Sequence, residues 1–181
     1  MIKIITWITK IIITVITALF FSSCHFDYNS IKGSGNITTE TRTINEKFTG
    51  IDVSSAIEVT VKQADKTEVI VEADDNLLST IKTEVKNGKL VISNESYVNI
   101  RNGVRKVTIT MPTIDYLESS SASSITSRST LKGDQIFIKT SSAGSIKLDI
   151  EMEAVTSKSS SGSSIELKGL AMQFDTQSSS G

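Results

Sequence analysis

The second half of the chain carries a serine-rich motif at near-constant spacing. It reads SSSASSI at 119–125, TSSAGSI at 140–146 and SSSGSSI at 159–165, and the sequence closes on SSSG at 178–181. The small residue of each copy falls at Ala122, Ala143, Gly162 and Gly181, so the steps are 21, 19 and 19 residues. A fixed period near 20 predicts a β-solenoid in which each repeat is one coil laid on the last. Two apolar registers keep the same phase. Ile136, Val155 and Phe174 lie seven positions before the small residue, and Ile125, Ile146 and Ile165 lie three after it. They should stack as columns inside the coil. A disordered serine tract would not hold isoleucine in phase three times. Small residues suit the sharp bends, where a bulky side chain would meet the next coil. Stacked hydroxyls can donate to one neighbouring coil and accept from the other.

The N-terminus reads as a targeting segment. Lys3 and Lys10 precede an apolar stretch, Ile11 to Phe21, and Ser22-Ser23-Cys24 follows. That stretch is about half the ~20 residues a spanning helix needs, so it suits a secretory leader. A cysteine directly after small residues at its end resembles the lipobox of bacterial lipoproteins. The resemblance implies lipidation of Cys24, cleavage before it and stable anchoring by several acyl chains. The expected organisation is a signal peptide over 1–23, a lipidated cysteine and tether over 24–35, and one domain over 36–181. Cys24 is the only cysteine, so no disulfide and no thiol site is expected in the domain.

Between the tether and the repeats the pattern is β throughout. Ile51, Val53, Ile57, Val59 and Val61 alternate with polar residues. Thr38 to Thr43 is β-prone but polar, at most an edge strand. Asp74-Asp75-Asn76 before Leu77-Leu78 suggests a capped helical turn. Asn87-Gly88 between two alternating runs predicts an antiparallel hairpin, because both central residues of a type I′ turn need positive φ. Pro112, the only proline, marks the end of a strand over 104–111.

Little in the chain suggests catalysis. His25 is the only histidine and lies in the tether, so a Ser-His-Asp triad is excluded. Asp74-Asp75 lacks the spacing of a calcium loop. Glu151 and Glu153 alternate with Met152 and read as a solvated strand face. Trp7, the sole tryptophan, falls in the leader, and Tyr97 sits in a polar loop over 94–105 that could form a contact surface. No catalytic residue, cofactor or metal site is expected. The 19 basic and 20 acidic residues are interspersed, so no nucleic-acid partner is expected.

Taken together, Phe48-Thr49-Gly50-Ile51-Asp52-Val53, Ile57-Glu58-Val59-Thr60-Val61, the Ala73 to Leu78 segment, Asn87 to Ile92, Val107 to Pro112 and the Ser-Ala/Gly-Ser repeats resemble the bacterial head GIN domain, the head of auto-transporter adhesins. The resemblance spans roughly residues 34–181 and implies an all-β fold of right-handed parallel β-helix or related β-solenoid type, in a lipoprotein of the Bacteroides group. Members usually continue through further coils, so a sequence stopping at Gly181 is expected to be truncated, with Phe174 partly exposed. The resemblance implies a non-catalytic binding role at the cell envelope, on a lipid anchor in the outer membrane, with adhesion to a protein or glycan partner. Two other readings stay open: a periplasmic-facing structural or envelope-stress component, and a polysaccharide-acting β-helix enzyme.

Overall fold

The computed structural model describes residues 2–22, 30–95 and 99–179. Cys24, His25, Tyr97 and Gly181 therefore lie outside the described residues. The chain divides into two compact units, 1–30 and 31–181.

The first unit holds one helix, α1 (Ile2–Ser22). Its threonines fit a helix by bonding backwards: the hydroxyls of Thr9, Thr14 and Thr17 donate to the carbonyls of Ile5, Lys10 and Ile13 at 2.9, 2.9 and 2.6 Å. Among the described residues no helix is long and apolar enough to cross a membrane.

Among its described residues the second unit is all β apart from one 3₁₀ turn. Its strands are β1 (Ser30–Lys32), β2 (Ile37–Arg42), β3 (Gly50–Val53), β4 (Glu58–Gln63), β5 (Glu68–Asp74), β6 (Ile81–Lys86), β7 (Lys89–Asn94), β8 (Asn99–Arg101), β9 (Arg105–Met111), β10 (Tyr116–Ser119), β11 (Ser124–Ser127), β12 (Leu131–Thr140), β13 (Ser145–Ser160) and β14 (Ser164–Ser179). β1 and β8 form a small separate pair, and the other strands form one sheet. The sheet order is β2-β5-β9-β4-β11-β13-β12-β10-β3-β7-β6, with β14 on the other side of β13. The long β13 turns the sheet back on itself, because its first residues pair with β11 and its later ones with β12.

This architecture corrects the expected β-solenoid or right-handed parallel β-helix over 36–181. The sheet is mixed and curls into a nearly closed barrel. Pairing is antiparallel in β2–β5, β5–β9 and β6–β7. For β6–β7 the physical reason is the connection. Asn87-Gly88, both at positive φ (52° and 75°), joins β6 to β7, and such a short link permits only antiparallel neighbours. The expected Asn87-Gly88 hairpin is thus present. β3–β7 and β4–β9 are parallel, and from β10 onward every pairing is parallel, at the spacing of the serine motif: Tyr116 faces Phe137, Ile136 faces Val155, and Val155 faces Phe174.

Both apolar registers form columns. Ile125 aligns with Ile146, and Ile146 with Ile165, and the column continues through Val59 to Val107. Ile125, Ile146, Ile136 and Val155 are at most 2 % exposed, and each such side chain contributes about 1.5–3 kcal/mol on burial. Phe174, on β14, is 57 % exposed.

The motif itself makes the bends. Consecutive residues take positive φ at Ser121-Ala122 (51° and 60°), Ser142-Ala143 (49° and 60°) and Ser161-Gly162 (54° and 67°). The N–H of Ser123, Gly144 and Ser163 returns to the carbonyl of Ser120, Ser141 and Ser160 at 3.1, 2.8 and 3.3 Å. A four-residue turn with two positive-φ central residues is of type I′. Successive bends are tied together, since Ala122 N–H donates to Ser142 O (3.0 Å) and Ala143 N–H to Ser161 O (3.1 Å). A fourth bend, Ser55-Ala56 (70° and 54°), joins this ladder through Ala56 N–H to Ser121 O at 2.9 Å. Inside the bends, buried Ser119 and Thr140 stand in register with Ser159. The Ser119 hydroxyl donates to the Ser123 carbonyl (2.9 Å), and Ser163 Oγ to Thr140 Oγ1 (2.9 Å).

Candidate binding surface

Side chains alternate across a strand. Because Ile51, Leu117 and Ile138 point into the core, their neighbours Gly50, Tyr116 and Phe137 project from the outer face. Parallel register aligns these with each other and with Lys89 on β7 and Thr156 on β13. Gly50 leaves a gap in the row. A Cβ there would sit 2.9 Å from Lys89 Cγ and 3.1 Å from Tyr116 Cβ. Through that gap Lys89 leans across and sets its Nζ 3.3 Å from the centre of the Tyr116 ring. Tyr116 stacks on Phe137, with ring centroids 5.4 Å apart and planes 8° from parallel. Lys158 Nζ lies 5.6 Å from the Phe137 ring centre. Contacts of this cation–π kind are worth about 0.5–1 kcal/mol when exposed.

A second outer row, two residues further along, fixes the first. It aligns Asp52, Glu118, Lys139 and Lys158. The Tyr116 hydroxyl donates to Glu118 Oε2 at 2.5 Å, and Lys139 Nζ lies 2.7 Å from Glu118 Oε1. Burial pushes the Glu118 carboxyl up, but hydrogen bonds from Lys139 and Tyr116 and the charges of Lys139 and Lys89 outweigh it, so its pKa falls. Burial, then the bond to Glu118, raises the Tyr116 phenol well above its ordinary value. The pair is therefore a carboxylate accepting from a neutral phenol at neutral pH. Asp52 is raised, first by burial and then by the facing charge of Glu118.

Beside the first row, the surface dips into an open groove of about 460 Å³. One end is formed by Asn87 and Lys89, the middle by Asp115 and Tyr116, and the other end by Gln135 and Phe137 over Ala154 and Thr156. It crosses β7, β3, β10, β12 and β13, which at about 4.8 Å per strand makes it roughly 19 Å long.

The residues singled out in the sequence lie elsewhere. Asp74 is buried and caps no helix. Its two carboxylate oxygens accept the N–H groups of Gly35 (2.6 Å) and Val104 (2.7 Å), and no side chain caps the 3₁₀ turn Leu78–Thr80. Asp75 Oδ1 accepts the Ser34 hydroxyl, and Asn76 Nδ2 donates to the Lys32 carbonyl at 2.8 Å. Lys32 to Gly35, part of the stretch read as a tether, are thus held against β5. Glu151 and Glu153 are exposed, and Glu151 pairs with Lys132 at 2.5 Å. Among the described residues no group of three or more His, Cys, Asp or Glu side chains gathers to hold a metal. The Lys89–Tyr116–Phe137 row was not anticipated, although its signal was present. Counting six residues back from each bend gives Gly50, Tyr116, Phe137 and Thr156.

The family described as "Putative auto-transporter adhesin, head GIN domain" matches residues 47–181. The chain belongs to the head GIN domain family. Similar solved structures include a "putative adhesin" from Bacteroides fragilis, with TM-score 0.75 and 20% identity, covering 83% of this chain and 71% of that one. A "putative adhesin" from Parabacteroides merdae has TM-score 0.67 and 18% identity, over 82% of this chain and 61% of that one. A "putative lipid binding protein" from Parabacteroides distasonis has TM-score 0.67 and 22% identity, over 84% and 75%. At these identities the likeness carries the fold alone. No curated protein matches the chain.

Proposed function

We propose that this head GIN domain is a non-catalytic binding module of the cell envelope, of adhesin type, held on the outer membrane by lipid at Cys24. The parallel strands over 116–179 give the module a stiff, ruled outer face. One observation carries the reading. The Lys89–Tyr116–Phe137 row is partly exposed, yet locked by stacking, by Glu118 and by Lys139. Rigid aromatic side chains with a polar handle supply contact area at low entropic cost, which suits recognition. Adhesin membership of the family supports the same role.

Three measurements on cells producing the full chain test it. Protease treatment of intact cells should remove the domain, and producing cells should adhere better than cells lacking it. A domain protected until the outer membrane is opened would instead favour the periplasmic structural reading. Loss of labelled palmitate incorporation on Cys24→Ser would support the anchor, and unchanged incorporation would remove it.

A further inference from the structure

We propose that the groove beside Phe137 binds a chain of uncharged pyranose sugars, an inference that rests on the binding role above. Four observations lead there. The first is an available aromatic face. Tyr116 covers one side of Phe137, while the register partner on its other side is the small Thr156. Ala154 and Thr156 keep the floor low, so a flat sugar ring can stand against the phenyl face.

The second is the lining chemistry. Asn87 and Gln135 offer amides, Asp115 a carboxylate and Lys89 an ammonium along one groove. Amides both donate and accept, the carboxylate accepts and the ammonium donates, which is the mixture that vicinal hydroxyls satisfy. The third is charge. Lys89, Lys139 and Lys158 do not outnumber Asp52, Asp115, Glu118 and the adjoining Asp175 on the same face, and Glu118 already engages Lys139. A balanced face gives a polyanion no net attraction. The fourth is shape. The groove's 460 Å³ falls among small-ligand clefts of roughly 300–1,000 Å³. Its length over five strands suits several linked rings better than one.

Lys158 has no carboxylate partner among the described residues, and its Nζ hovers 5.6 Å from the Phe137 ring centre. It acts as a movable cover that turns to a sugar hydroxyl when a ring takes its place. The fit would then need no backbone change.

The test is retention of purified full-length protein on immobilised neutral hexose polymers, with a polyuronate alongside. The inference expects retention on a neutral polymer that survives raised salt. Phe137→Leu keeps apolar volume but removes the ring face, and it should weaken retention about tenfold. Gln135→Ala, an exposed change that leaves the stack intact, should weaken it too. The melting temperature of each variant shows whether it still folds. Retention confined to the polyuronate and abolished by salt would overturn the inference, as would unchanged retention by a folded Phe137→Leu protein. If producing cells adhere while the protein ignores every neutral polymer, the sugar inference falls and the adhesin reading stands. If the cells do not adhere, the adhesin reading fails by itself.

Discussion

Tyr116 and Phe137 are register partners on adjacent parallel strands, and their rings stack at 5.4 Å with an 8° tilt. Such a pair couples energetically beyond the area it covers, by about 0.5–1.5 kcal/mol. A double-mutant cycle of Tyr116→Leu and Phe137→Leu, followed by denaturant unfolding, should return a coupling energy in that range. A coupling near zero would mean that the stack is incidental to the stability of the face.

The facing carboxylates Asp52 and Glu118 should respond oppositely to pH. Glu118 has a depressed pKa in the fold, so it contributes stability above its ordinary value of 4.5 and loses it as pH falls through the folded value. Asp52 has a raised pKa, so its ionisation costs stability as pH rises from 3.8 through the folded value. At pH 7, Glu118→Gln should therefore lower the melting temperature and Asp52→Asn should raise it. Below the depressed pKa of Glu118 both differences should vanish. Because part of the Asp52 shift comes from Glu118, the gain from Asp52→Asn should shrink in the Glu118→Gln background.

The bends place alanine where glycine is the easier residue. Ala122 and Ala143 both hold φ at 60°, a conformation that disfavours a Cβ by about 1–2 kcal/mol. Glycine relieves that strain but enlarges the unfolded ensemble by about 0.4–1 kcal/mol. Ala122→Gly and Ala143→Gly should each raise the urea midpoint slightly, while Gly162→Ala should lower it. Gly144 carries a different constraint, because a Cβ there would overlap the Ser119 carbonyl oxygen. Gly144→Ala should cost more than any other single change at the bends.

Asp74 joins two separate segments through the N–H groups of Gly35 and Val104. Replacing it with alanine leaves two donors without their acceptor, at about 1–3 kcal/mol each where they remain buried. Hydrogen exchange should speed up first at Gly35 and Val104, with the β10–β13 amides unchanged. Uniform acceleration across the domain would show that Asp74 supports the whole barrel.

The sequence was most readable where structure repeats. The bends at Ala122, Ala143 and Gly162, both isoleucine-centred columns and the Asn87-Gly88 hairpin follow from local chemistry plus a fixed period. The Ser55-Ala56 bend was harder to see. Its stacking partner, the Ser121-Ala122 bend, comes only after β4 to β10 have intervened. That same stretch makes the sheet mixed, because β5 runs antiparallel to β2 and β9 and the tight Asn87-Gly88 link makes β6 and β7 antiparallel neighbours. The binding row was hidden for a related reason. Lys89 reaches Tyr116 across Gly50, so three distant segments meet at a position marked by a missing side chain. Asp74 was misread because a carboxylate before a helical turn normally caps it, whereas tertiary contact gave it two better donors.

The most direct test of the central claim is adhesion by cells producing the full chain with Tyr116→Ala and Phe137→Ala together, at matched surface amounts and with folding checked by the melting temperature of the purified variant. The binding-face account predicts that adhesion falls to the level of cells lacking the protein. Adhesion equal to that of the unaltered chain would contradict it and move the contact surface away from this row.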